Sequence, residues 1–102
     1  MKIQQLVSTP QLQEIVLDSE DLLETYGEPI TFYTYDIVPM ATYFDFFNAR
    51  SKNEYEALTK LIRTMILDEN GKSVMGEDQD LPIDIMAAAV VKIGDILGKS
   101  LG

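Results

Sequence analysis

The sequence predicts a mainly α domain, with three to four helices packed as one small domain and a short N-terminal β element. Three observations predict it. Residues 37–67 carry two apolar stripes at helical spacing, with a break between them. Leu81–Leu97 carries a third stripe, opened by Pro82. Ile30–Asp36 is built from β-branched and aromatic residues and reads as a strand. At 102 residues the chain fits one domain around one core, spanning 1–102.

Residues 1–9 are weakly patterned and read as a loose lead-in. Residues 12–17 are open to two readings. Thr9 and Pro10 suit the N-cap and first position of a short helix carrying Leu12, Ile15 and Val16, whereas Ile15-Val16-Leu17 suits a strand. Ser19-Glu20-Asp21 reads as a helix start, with acids where the dipole favours them. Leu22, Leu23 and Tyr26 should face inward there, and Gly27, with Pro29 beyond it, should end the turn. In the strand 30–36, Ile30, Phe32 and Thr34 take one side, and Thr31, Tyr33 and Tyr35 the other. A lone strand cannot satisfy its backbone, so residues 12–17 or a second chain must pair with it.

The next helix is expected to start at Asp36 as cap, with Pro39 in its first turn, where amides lack intrahelical partners. Its inward face would be Ile37, Met40, Tyr43, Phe44 and Phe47. Ser51 and Glu54 have the spacing of a capping box, which places a break near Arg50–Ser51 and opens another helix. That helix has the stripe Tyr55, Leu58, Leu61, Ile62, Met65 and Ile66, with Lys52, Glu56, Lys60 and Arg63 opposite. Residues 68–80 hold Asn70-Gly71, a turn signal, and five acids against Lys72, so a mobile acidic loop is expected. The last helix would take Asp80 as cap and bury a seam of Ile83, Met86, Val90, Ile93 and Leu97. Gly94 costs a helix about 1 kcal/mol relative to alanine, which suggests that something packs closely against it. Residues 99–102 should fray.

The composition excludes much chemistry. Without cysteine there is no disulfide, thiol nucleophile or thiolate site; without histidine the commonest general base and metal ligand are missing. The chain contains no GxGxxG, GxxxxGK[ST] or GxSxG motif. The loop from Asp68 fails as a calcium hand, because Ser73 stands where glycine is needed and Gln79 where glutamate is. Neither catalytic, cofactor nor metal residues are therefore expected. The net charge of −9 is uneven: residues 1–48 hold eight acids against Lys2. That balance disfavours binding nucleic acid and suits solubility or a basic partner. Asp84, Lys92 and Asp95 interrupt the most apolar window, so no membrane span is expected. The start of the chain lacks the apolar run of a secretory signal, so the expected location is cytoplasmic.

The candidate partner-binding residues are Tyr43, Phe46 and Phe47 in the aromatic run, with Phe46 toward the flank, and Met86 and Val90 on the last helix. Plain core packing of both stripes is the competing reading.

A short acidic chain with a helical middle leads into the linker Leu67-Asp-Glu-Asn-Gly-Lys and an acidic stretch. Leu81-Pro82 then starts an alanine-rich helix reaching Gly-Asp-Ile-Leu-Gly98. This layout, best over residues 55–98, resembles the tail assembly chaperones of long-tailed bacteriophages. The resemblance implies a non-catalytic protein of the host bacterial cytoplasm, absent from the mature virion. Its partners would be the tape measure protein, the tail tube protein, and a frameshift-extended form of itself or a homo-oligomer. Such extension uses a minus-one ribosomal frameshift, and Leu97-Gly98-Lys99 is encodable with a G-GGA-AAA slippery heptamer, which the gene can test. No cofactor is implied. The alternative is an acidic mimic of nucleic acid that inhibits a host DNA-binding protein. The dispersed acids and the basic residues on the helices speak against it.

Overall fold

The computed structural model describes the backbone of residues 1–7 and 9–101 and the side chains of 1–7 and 9–98. After a 3-10 turn over Ile3–Leu6, the elements are β1 (Leu12–Leu17), α1 (Glu20–Tyr26), β2 (Ile30–Tyr35), α2 (Met40–Ser51), α3 (Tyr55–Met65) and α4 (Ile83–Leu101). Helices predominate, as expected, and the β element is a two-stranded antiparallel sheet.

Residues 12–17 are a strand, and β2 is their partner, from Leu12 opposite Tyr35 to Leu17 opposite Ile30. Local sequence left the choice open; the neighbouring strand decides it, because only an extended segment satisfies both backbones. Ile15, Leu17, Phe32 and Thr34 are buried on one face, as the alternation in β2 foretold. Tyr33 continues the sheet on its far edge, exchanging backbone hydrogen bonds with Leu67 at 2.9 and 2.8 Å.

Between the strands, Ser19 caps α1 by accepting from the Leu22 amide, and Gly27 closes it with φ +81°. Of the three residues expected to face inward, Leu22 alone is buried; Leu23 and Tyr26 are exposed. The Tyr26 hydroxyl instead donates to Asp84 on α4 at 2.9 Å.

The start of α2 differs from expectation. Proline disfavours helical backbone in the residue before it; Val38 is accordingly not helical, and the helix begins after Pro39, with no side-chain cap. Asp36 closes the sheet instead: its carboxylate accepts from the Gln11 amide and its own amide donates to the Gln11 carbonyl, both at 2.9 Å. The inward face is also rotated. Phe46 and Ala49 are buried, Tyr43 and Phe47 half-buried, and Ile37, Met40 and Phe44 exposed.

The break between α2 and α3 falls two residues beyond the expected one, and no capping box forms. Ser51 ends α2. Asn53 takes φ +57°, and the amides of Asn53 and Glu54 donate to the carbonyls of Arg50 and Ala49. This is a Schellman ending, with asparagine in the left-handed position that its side chain tolerates. α3 then buries Leu58, Ile62 and Met65, with Ile66 just beyond, while Tyr55 is exposed. The Glu56–Lys60 pair forms at 3.8 Å on its outer side.

The acidic segment 68–80 is held at several points. Asp68 accepts from the amides of Asn70 and Lys72, Leu67 bridges to Ser73, and Met75 is buried. Arg63 reaches over to Asp80 and to the Gly76 carbonyl. Asp80 is thus spent on Arg63 rather than capping α4.

The seam of α4 is rephased too. Ile85, Ala89, Ile93 and Leu97 form its buried row, Met86 and Val90 lie half-buried beside it, and Ile83 is 88% exposed. Gly94 has the close neighbour its presence suggested. A Cβ there would lie 3.4 Å from the Phe46 ring and 3.0 Å from the Arg50 guanidinium. The α4 backbone stays helical to Leu101, into the tail expected to fray; the side chains of 99–101, and all of Ser8 and Gly102, lie outside the described residues.

Candidate partner-binding surfaces

The aromatic run of α2 contributes to both the inside and the outside of the molecule. Tyr43 and Phe47 lie 4.7 Å apart between ring centroids, and Phe46 meets Phe47 edge-on at 5.1 Å. Phe46, expected on the flank as a partner contact, is fully buried, so its ring supports the others from below. Phe44, expected inside, meets Tyr43 edge-on at 5.8 Å and is 56% exposed. Met40 and Phe44 are one helical turn apart and both exposed, so they form an uncovered apolar stripe, and Ile37, just before the helix, is exposed as well. The apolar spacing alone signalled a stripe here; its placement outside is a matter of helix phase.

On α4, Met86 and Val90 are half-buried, packed against the core with part of each side chain exposed. Ile83, Ala87 and Val91 follow at four-residue intervals on the exposed side. A cavity of about 320 Å³ opens where β1 ends, lined by Leu17, Asp18, Ser19, Leu22, Ala88, Val91 and Lys92. A shallower groove of about 570 Å³ runs between α2 and α3, with Asp45, Lys52, Glu54 and Lys60 along it. That mixture of charges is one of ordinary solvated helix faces.

Ionisable groups are perturbed for structural reasons. Coulomb repulsion from Glu14, with some burial and a hydrogen bond to the same residue, holds the Tyr33 hydroxyl above the ordinary tyrosine value. Burial and then the hydrogen bond to Asp84 do the same for Tyr26. The two backbone amides donated to Asp68 hold its carboxyl below the usual range. Among the described residues no three acids converge as metal ligands, and no helix is long and apolar enough to cross a membrane. Neither family models, curated proteins nor solved structures show a match to this chain.

Proposed function

We propose that this chain is a non-catalytic phage tail assembly chaperone that binds the tape measure protein and helps recruit tail tube subunits in the host cytoplasm. The observation that carries the reading is the uncovered pair Met40 and Phe44 on α2, with the exposed Ile37 just before the helix and the half-buried Tyr43 and Phe47 beside them. Aromatic and methionine side chains at helical spacing suit the apolar face of another helix. Binding does not call for the histidine or cysteine that the chain lacks. The net charge of −9 would keep a protein with such a stripe soluble between encounters. In this reading Tyr43, Phe47, Met40 and Phe44 touch the partner, and Phe46, Met86 and Val90 hold the surface in shape.

The test is capture with tagged chain from phage-infected bacteria, beside a Met40→Asp, Phe44→Asp variant whose helical circular dichroism is unchanged. Recovery of a very long helical phage protein by the wild type and not by the variant supports the reading. Recovery of a host DNA-binding protein alone sinks it and promotes the acidic mimic.

A further inference from the structure

We propose that the free edge of β1 docks an extended basic segment of another protein as an added strand. The register makes the edge specific. Gln11 and Asp36 form a hydrogen-bonded pair, so by the two-residue alternation Gln13, Ile15 and Leu17 also turn their backbone groups toward β2. On the other edge of β2, Tyr33 bonds Leu67, as the same alternation requires. Leu12, Glu14 and Val16 must then point their amides and carbonyls away from the sheet, where none has a partner among the described residues.

Three of the six strand residues thus present open backbone groups, with no proline or bulge among the six. Native edges left open like this invite strand addition. Two features name the occupant. The edge lies in the acidic half of the chain, where eight acids in residues 1–48 face one lysine, and Glu14 sits at its centre. The cavity at its end, walled by Leu17, Leu22, Ala88 and Val91 with Asp18 and Lys92 beside them, would take an apolar side chain of the added strand. A second copy fits poorly. The symmetric antiparallel register that pairs all three outward residues would set Glu14 directly against Glu14, and like charges directly opposite are destabilising; registers that avoid this leave fewer of them paired. The inference stands independently of the chaperone reading, since it uses a different surface.

The experiment titrates the isotope-labelled chain with a nine-residue peptide alternating lysine and valine, and with its glutamate–valine counterpart, read by amide shifts. The lysine peptide is expected to move and protect the amides of Leu12, Glu14 and Val16. Glu14→Lys should weaken it at least tenfold and favour the glutamate peptide. Val16→Pro removes an outward donor without touching the ladder to β2 and should abolish binding; if that variant fails to fold, Glu14→Lys alone decides. Equal binding of both peptides, shifts away from β1, or no binding at millimolar peptide overturns the proposal. So does a dimer in sedimentation whose β1 amides are already protected, since a second copy would then be the occupant.

Discussion

Replacing Phe46 and Phe44 separately by alanine tests the phase of α2 directly. They are two residues apart on one helix, and the structure assigns them opposite environments: 0% exposed against 56%. Phe46 packs edge-on against Phe47 and lies over Gly94, so its removal leaves a void between α2 and α4 that neither backbone can easily fill. Truncating a buried phenylalanine costs about 3–5 kcal/mol. A domain of this length has about 5–15 kcal/mol in total, so the loss is a large share. Phe44→Ala removes a ring largely in water and should cost about 0.5 kcal/mol. The assay is urea unfolding followed by far-ultraviolet circular dichroism. With a urea m-value of about 2 kcal/mol/M, Phe46→Ala should lower the midpoint by about 2 M, and Phe44→Ala by about 0.25 M. Should Phe46→Ala prove too unstable to measure, Phe46→Leu keeps the comparison with a smaller loss in the same direction. Equal losses, or a larger loss at Phe44, would refute the assigned helix phase and with it the argument for the exposed stripe.

The two glycines of α4 should respond oppositely. Gly98→Ala meets no atom within 4 Å and should stabilise by up to about 1 kcal/mol through helix propensity, whereas Gly94→Val drives a side chain into Phe46 and Arg50 and should lower the melting temperature, its crowding costing about 1–3 kcal/mol. Met75→Ala removes the buried anchor of the acidic segment; it should cost about 2 kcal/mol and speed cleavage within 68–80 under limited proteolysis. Because the folded-state pKa of Asp68 lies below its unfolded value, its contribution is present above the unfolded pKa and disappears as pH falls through the folded one. Acid unfolding of Asp68→Ala should accordingly show a shallower pH dependence than the wild type as pH falls below the ordinary carboxylate range, at constant ionic strength.

How much was legible from the residues differs from element to element. Local chemistry marked β2, the α1 cap and its glycine stop, because a serine N-cap, a left-handed glycine and an alternating strand depend on neighbours in sequence. It also marked three longer helical stretches, and the tight neighbour at Gly94. It did not decide which side of α2 or α4 turns inward. Both helices carry apolar residues around much of their circumference, as with Phe44 beside Phe46 and Ile83 beside Ile85, so several phases give an apolar stripe and only the surfaces opposite select one. The same holds for caps that have competing uses. Asp36 went to Gln11 and Asp80 to Arg63, partners 25 and 17 residues away, which no local motif weighs.

The candidate surface follows the same division. That the α2 run would be aromatic, that the chain would be acidic and that it would lack histidine and cysteine were determined by sequence alone, since composition does not depend on folding. Tertiary structure decided that Phe46 is core and Met40 and Phe44 are surface, that residues 12–17 become an edge strand, and that a cavity opens at its end. The physical reason is that burial and backbone pairing belong to pairs of elements: a residue is inside, or a strand edge is free, according to what the rest of the chain places against it.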